Sequence, residues 1–114
     1  MNKPTRFYSS RQEKEVAKIL KGTQVTNSGA TPFSKGDVRT DNWLIECKTC
    51  TTAKASFSIK REWLSKNKEE AFAMNKRYNA LCFDYGNGSD RYYIVDEKTF
   101  LKMRGTLEEY EGNT

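Results

Sequence analysis

The sequence predicts a mixed α/β fold in which a central sheet of about five strands is flanked by helices. Three observations carry this prediction. Stretches with helical spacing of apolar residues alternate with short strand-like stretches along the chain. Residues 43–48 (WLIECK) have apolar side chains at both odd and even positions, which is typical of a central strand. Two further strand-like stretches flank the glycine-rich turn at 86–90. A chain of 114 residues is expected to form one domain, 1–114.

The N-terminal third predicts an arm, a helix, a strand and a loop. Residues 1–8 are expected to be a flexible extended arm. Ser10 and Glu13 fit a capping box, so a helix is expected to begin at Ser9 or Ser10 and to end near Lys21, before Gly22. Residues 23–27 are then expected to form a short strand, and residues 28–35 (SGATPFSK) a loop.

The remaining elements follow from the same patterns. Residues 58–77 predict a helix whose apolar face comprises Ile59, Trp63, Leu64, Ala71, Phe72 and Met74. Strands are expected at 79–85 and 91–95, and Asp96 is expected to cap a last helix, 97–103. Residues 105–114 are expected to be a frayed acidic tail. The predicted order is αβββαββα.

Composition limits the classes of function. The net charge of +5 favours a polyanionic partner such as nucleic acid. The chain has no histidine, which excludes histidine-based acid–base chemistry, histidine metal sites and Ser-His triads. No apolar run approaches the ~20 residues of a membrane span, and the polar N-terminus lacks a signal peptide's apolar region. We therefore expect a cytoplasmic protein without a membrane partner.

The three cysteines are expected to be reduced and structural. Cys47 and Cys50 have the spacing of a CxxC motif, but side chains three apart on a continuing strand face opposite ways. Only Cys82 remains as another sulfur ligand. An odd cysteine count in a sequence of this kind favours free thiols over a zinc or redox site.

Residues 36–48 (GDVRTDNWLIECK) carry the chemistry. Strand alternation places Glu46 and Lys48 on one face, and a tight turn at 40–42 can return that strand against Asp37. Two converging carboxylates suit Mg²⁺ or Mn²⁺, which bind oxygen ligands together with water and substrate phosphate. The alternative is a surface hairpin with a solvated Glu–Lys pair. Asp84 and Asp90 are expected to be strand-edge and turn residues rather than ligands.

Asp37 followed by Glu46-Cys47-Lys48 resembles the PD-(D/E)XK nuclease signature, with Gly36 where a proline is usual. The flanking order is similar to the Holliday junction resolvase branch of archaeal and phage type. A helix bearing Glu13 comes first, a Ser-Gly-Ala loop at 28–30 leads into the hairpin, and a hydroxyl-rich segment and a long helix follow. The resemblance spans residues 9–95 and implies a restriction-endonuclease-like core.

The resemblance also implies a catalytic set. Asp37, Glu46, Glu13 and the backbone carbonyl of Cys47 would hold Mg²⁺, with Mn²⁺ able to substitute, and Lys48 would act on the attacking water. Glu13 has a second interpretation as a helix-cap partner, in which case Glu15 would replace it. No nucleotide cofactor is implied.

The partner implied is DNA, and branched DNA is favoured because the chain has no separate sequence-reading domain. Two symmetric cuts imply a homodimer. The resemblance also allows a phage-encoded origin in a bacterial host. Expected phosphate contacts are Ser28, Lys35, Arg39, Lys54, Ser56 and Arg6.

Three other functions remain open from sequence. One is a nuclease of the same superfamily that cuts damaged, single-stranded or linear duplex DNA. Another is a catalytically silent DNA- or protein-binding module of the same fold. The third is a partner-binding protein, such as an inhibitor, whose basic surface meets an acidic protein.

Overall fold

The computed structural model describes residues 5–25, with side chains from residue 11 onward, and residues 37–50, 53–86 and 90–112. These residues form one five-stranded mixed sheet in the order β1-β2-β3-β4-β5, together with three helices, which confirms the predicted fold class. The elements in chain order are α1 (Thr5–Leu20), β1 (Thr23–Gln24), β2 (Asp37–Arg39), β3 (Trp43–Lys48), α2 (Arg61–Ala73), β4 (Tyr78–Phe83), β5 (Tyr92–Ile94) and α3 (Glu97–Gly112).

The third strand is central, as its apolar residues on both faces predict. β3 pairs antiparallel with β2 and parallel with β4, and the other neighbouring pairs are antiparallel. Parallel neighbours need a crossover connection, and α2 supplies it. The two faces of β3 are therefore both covered. Leu44 and Ile45, on opposite faces, are 0% and 2% exposed.

The first helix packs on the face of the sheet that carries Ile45 and Cys47. Val16 is fully buried there with Val38, Ala80 and Cys82. The predicted arm is wrong for residues 5–8, and the predicted helix start at Ser9 or Ser10 is wrong, because α1 begins at Thr5. Residues 1–4 of the predicted arm lie outside the described residues. Each residue added to an existing helix gains a backbone hydrogen bond, which favours the longer helix. Ile19, on the same helix, is exposed.

Gly22 lies just after α1, as predicted. The left-handed backbone at the end of the helix belongs to Lys21, with a φ of 54°, so Gly22 is required for another reason. A Cβ on Gly22 would lie 2.6 Å from the carbonyl oxygen of Arg39 in β2. The glycine is therefore needed for the close approach of helix end and sheet.

The second helix is shorter than predicted and presents another face. α2 begins at Arg61, and residues 53–60 precede it without regular structure. Its buried residues are Asn67, Glu70 and Ala71, whereas Phe72, expected in the core, is 85% exposed. Hydrogen bonds to the sheet determine which face of α2 is buried. The Asn67 side-chain N–H donates to the backbone carbonyl of Leu44, and the Asn67 side-chain oxygen accepts from the side-chain amide of Asn79.

The C-terminal helix is longer than predicted. Asp96 caps it as expected, since its carboxylate accepts the Thr99 N–H at 2.8 Å. The helix then continues to Gly112, so the predicted frayed tail is wrong up to that residue. None of its residues is buried. Within the described ranges, no helix is both long and apolar enough to cross a membrane.

Candidate functional site

The β2–β3 hairpin brings two carboxylates together. Asp37 and Glu46 are direct partners in the antiparallel register, so their side chains lie on the same face of the sheet. The predicted turn between the strands is confirmed. The Thr40 N–H donates to the Trp43 carbonyl at 3.0 Å, and the Trp43 N–H donates to the Thr40 hydroxyl at 3.1 Å. This turn sets the register, and the register sets the carboxylate pair.

Lys48 stands beside this pair. Its ammonium nitrogen lies 3.8 Å from Oε1 of Glu46 and 4.6 Å from the centre of the Trp63 ring on α2. The Lys48 side chain is 31% exposed and that of Glu46 is 15% exposed. The ammonium therefore lies at the boundary between a buried carboxylate and solvent. A cation over an indole ring is held in place electrostatically.

A third carboxylate, Glu70, joins the site from α2 and was not predicted from the sequence. Glu70 is 7% exposed and Asp37 is 2% exposed, and their side chains share a hydrogen bond. Two carboxyl groups can share a hydrogen bond only if one keeps its proton. Burial raises the pKa of Asp37 to about 8, and the hydrogen bond with Glu70 and the negative charges of Glu70 and Glu46 act in the same direction, while Lys48 opposes them.

A sequence signal for Glu70 exists in retrospect. Trp63, Asn67 and Glu70 have the spacing i, i+4, i+7, which is one stripe of a helix. The helix is placed with this stripe inward by the Asn67 hydrogen bonds, which anchor it over β3 and β4. The predicted apolar face is correct for Ala71, which is buried, and for the partly buried Trp63, but Leu64 and Phe72 of that face are exposed.

The two oxygens of the Glu46 carboxylate have different surroundings: Oε1 forms the ion pair with Lys48, and Oε2 has no hydrogen-bond partner. Burial raises the pKa of Glu46; Lys48, the next largest influence, lowers it, Glu70 raises it and Lys66 lowers it. Its Oε2 atom is buried and accepts no hydrogen bond. A buried acceptor without a donor is costly, and a cation would satisfy it.

These residues fit a hard divalent cation. The donors at the site are carboxylate oxygens, which Mg²⁺ and Mn²⁺ prefer. Among the residues that the structure describes, no group of three or more His, Cys, Asp or Glu side chains is arranged to hold a metal ion. Mg²⁺ commonly takes only one or two protein carboxylates and completes its shell with water and substrate phosphate. Asp37 and Glu46 would supply that pair, and the unpaired Oε2 of Glu46 is the atom best suited to bind it.

Glu13 lies with the other face of the sheet. α1 packs against the side that carries Cys47, and the negative charge of Glu13 acts on the Cys47 thiol. Glu13 also accepts a hydrogen bond from the Gln24 amide at 3.5 Å. Glu46 points to the opposite face, because successive strand residues alternate. The structure therefore does not bring Glu13 to the Asp37–Glu46 pair.

Glu15 has a different role from the one considered for it. It forms ion pairs with Arg91 and Arg11, and the Arg91 hydrogen bond is the main cause that lowers the Glu15 pKa. This pair ties α1 to the segment before β5. The Cys47 side chain is buried in the core, and the part of its backbone carbonyl in metal binding stays a prediction.

The predicted DNA contacts fall into three groups. Lys54 and Ser56 are exposed on the segment after β3, where the Lys54 N–H donates to the Tyr85 carbonyl just beyond β4. Arg39 is exposed at the other end of the hairpin. Ser28 and Lys35 lie outside the described residues, as does the side chain of Arg6, whose backbone belongs to α1.

Arg39 borders a surface cavity of about 560 Å³ that contains none of the site carboxylates. It lies around the β2–β3 turn, whereas Glu46 and Lys48 lie at the other end of β3. We regard the carboxylate cluster, rather than this cavity, as the candidate site. Burying carboxylates costs free energy, and the residues that line the cavity do not offset that cost. The cavity is lined by Leu20, Lys21, Gly22, Thr23, Arg39, Thr40, Asp41, Asn42, Trp43 and Lys76.

A row of aromatic side chains leads away from Lys48 across the same face. Phe83, the register partner of Lys48, stacks between Phe57 and Tyr92 with ring centres 5.5 and 5.7 Å away. Trp63 lies beyond Phe57 at 6.2 Å. Tyr92 is 51% exposed, so the row ends in a ring that is accessible from solvent.

A buried polar clamp fixes the end of β3. The Gln12 amide of α1 donates to the Lys48 carbonyl at 2.8 Å and to Asp84 at 3.1 Å. Asp84 also accepts hydrogen bonds from the Thr49 hydroxyl and the Gly86 N–H. Asp84 is thus a buried anchor rather than only a strand-edge residue.

The predicted free thiols are confirmed, since Cys47, Cys50 and Cys82 are all buried and unpaired in disulfides.

Comparison of the chain with protein-family models, with curated proteins and with solved structures found no match. The resemblance to PD-(D/E)XK nucleases therefore depends on the residues themselves. Asp37, Glu46 and Lys48 share one face of one hairpin, and the family resemblance itself stays a prediction.

Proposed function

We propose that this protein is a divalent-metal-dependent endodeoxyribonuclease that hydrolyses phosphodiester bonds in branched DNA, in the manner of a Holliday junction resolvase. One observation carries the proposal. Asp37 faces Glu46 across the hairpin, and the Lys48 ammonium lies 3.8 Å from Glu46 on the same face. A solvated surface hairpin would leave these groups in water, whereas Asp37 is 2% exposed.

The cation would supply charge neutralisation at the phosphate and a lower pKa for the attacking water. Asp37 and Glu46 would hold it, and Oε2 of Glu46 would gain the partner that it otherwise lacks. A bound cation would favour the ionised form of Asp37 over the protonated form that hydrogen-bonds to Glu70. Glu70 acts on Asp37 and thereby orients it.

Lys48 supplies a positive charge at the site. Its ammonium has three N–H donors and lies at ion-pair distance, 3.8 Å, from Glu46, so its donors can hold the attacking water or a non-bridging phosphate oxygen. The Trp63 ring limits where the ammonium can move. Groups held in place before the reaction stabilise the charge of a transition state most effectively.

The net charge of +5 suits recognition of a DNA backbone, whether branched or linear. The aromatic side chains are the reason to favour branched DNA. The aromatic row beside Lys48 suits bases that are unstacked, and such bases occur at junctions and flaps rather than within a continuous duplex.

The test is a Mg²⁺ cleavage assay on four-way junction, flap, nicked and linear DNA of one sequence. We expect the junction to be cut fastest, and we expect Glu46→Ala to abolish cutting. Glu69→Ala is the matched control, because Glu69 is an exposed glutamate beside Glu70 on the same helix.

Each other outcome indicates a specific alternative. Equal cleavage of linear duplex would indicate a general deoxyribonuclease of the same superfamily. Binding that weakens with salt, without any cleavage, would indicate a silent DNA-binding module. Absence of both would favour a protein-binding role.

A further inference from the structure

Helix α3 carries an apolar stripe that the rest of the described chain does not cover. Phe100, Met103, Leu107 and Tyr110 are spaced i, i+3, i+7, i+10, which is the a/d spacing of a helix-pairing seam. They are 54%, 50%, 57% and 71% exposed. Leu101 beside them is 53% exposed. Scattered surface apolar residues are ordinary, but an uninterrupted stripe along three turns marks an interface.

The stripe also bears on the stability of α3. A helix of this length gains most of its stability from packing of an apolar face. The described side-chain contact between α3 and the sheet is in the first half of the helix, where the Lys102 ammonium donates to the Tyr78 hydroxyl at 2.6 Å and lies over the Tyr78 ring. The second half of the helix therefore needs a partner against which its apolar residues can pack.

The charge distribution indicates which partner. The first half, 97–104, carries Lys98, Lys102 and Arg104 against Glu97, a net charge of +2. The second half, 105–112, carries Glu108, Glu109 and Glu111, a net charge of −3. An antiparallel second copy would place each basic half beside an acidic half. A parallel copy would place like charges together, and antiparallel helices also have the more favourable dipole arrangement.

The stripe is compatible with such a two-fold arrangement. With the axis beside residue 105, Phe100 of one copy faces Tyr110 of the other, and Met103 faces Leu107, so each a position meets a d position. The five apolar side chains expose on the order of 500 Å² in each copy, taking half of the 150–250 Å² that a large side chain can bury. The total is then roughly 1,000 Å², which is near the lower limit for a specific interface.

We propose that α3 is a dimerisation helix that pairs antiparallel with α3 of a second copy through the Phe100–Met103–Leu107–Tyr110 stripe. The interface is self-complementary, as two-fold symmetry requires. Its small area gives a reversible dimer with a dissociation constant on the order of 1 μM or weaker.

Sedimentation velocity of the full chain, over a concentration range from below to well above micromolar, tests the dimer. We expect concentration-dependent dimerisation in the unmodified protein and a monomer for Leu107→Glu. Phe72→Glu is the matched control, since Phe72 is the most exposed of the large apolar side chains in the described residues and lies on α2. A monomer at every concentration, or equal loss of dimer in the control, overturns the proposal.

Cysteine cross-linking tests the orientation without disturbing the charge. Under oxidation, a mixture of Met103→Cys and Leu107→Cys proteins should give a cross-linked dimer, whereas each variant alone should not. Parallel pairing predicts the reverse, since like positions then meet. The native cysteines are buried and do not compete. Cross-linking of either variant with itself would refute the antiparallel arrangement, and neither experiment depends on nuclease activity.

Discussion

Replacement of Asp37 by asparagine is expected to make the metal-free protein more stable at neutral pH, although it removes a proposed metal ligand. Asp37 is buried against Glu70 and takes up a proton on folding, with its pKa raised to about 8 by burial first and by Glu70 and Glu46 next. Asparagine has nearly the same shape and needs no proton. Its amide can donate to Glu70, so the hydrogen bond is kept.

The magnitude follows from the pKa. In the unfolded chain the carboxyl ionises near 3.8, so holding it protonated in the folded state at pH 7 costs about 4 kcal/mol, at about 1.4 kcal/mol per pH unit. This is an upper limit, because the proton is shared with Glu70. We expect a gain of roughly 1–3 kcal/mol in the free energy of unfolding, or roughly 3–15 °C in Tm.

The sign with pH is fixed by the direction of the shift. A carboxyl whose pKa is higher in the folded state contributes stability that is complete below its unfolded pKa and is lost as pH rises toward about 8. The gain from Asp37→Asn should therefore be small at pH 5 and largest at pH 8. Asp41→Asn, in the exposed turn of the same hairpin, is the control and should show no such trend.

Urea unfolding in EDTA, at pH 5 and pH 8, measures the effect. Repeating the pH 8 measurement with Mg²⁺ should stabilise the unmodified protein but not Asp37→Asn, because only the former has both proposed ligands, Asp37 and Glu46. A variant that is less stable than the parent at pH 8, or equally improved at both pH values, would show that the carboxyl cluster carries no buried electrostatic cost.

Three further predictions concern other parts of the site. Lys48→Met keeps an apolar stem against Trp63 but removes the ammonium, and it should lower the cleavage rate by roughly 10²-fold or more with folding intact, whereas Lys60→Met, over the same ring, should have little effect. Gln12→Ala removes the donor shared by the Lys48 carbonyl and Asp84, and urea titration should show a loss of roughly 1–3 kcal/mol; an unchanged midpoint would argue against the clamp. Gly22→Ala places a Cβ against the Arg39 carbonyl and should destabilise by roughly 1–3 kcal/mol in thermal unfolding, while Gly105→Ala, where nothing lies within 4 Å, should stabilise α3 slightly.

Strand periodicity allowed the central part of the site to be predicted. The side chains of residues 43–48 alternate rigidly, so Glu46 and Lys48 had to share a face. The turn at 40–42 fixes the number of residues between the strands, which places Asp37 opposite Glu46. These are local properties of one hairpin. Whether the site binds a metal and cuts DNA stays a prediction.

The remaining features depend on contacts between distant segments. Glu70 enters the site because Asn67 binds the sheet, and no apolar pattern in α2 contains that information. Glu13 has the composition of a ligand, but the side of the sheet that α1 covers is set by Val16 and its partners in the core. The exposed stripe of α3 has the spacing of a buried helix face, so sequence alone cannot distinguish the two.

Because Lys48 contacts Trp63, intrinsic tryptophan fluorescence should report on ligand binding at the site. The chain has two tryptophans, and the other, Trp43, stacks on Tyr78 at the opposite end of β3. A Trp43→Phe variant would leave a single indole beside the Lys48 ammonium. Because indole emission responds to a neighbouring charge, any ligand that draws that ammonium away should change the fluorescence, and titrations would need no attached dye.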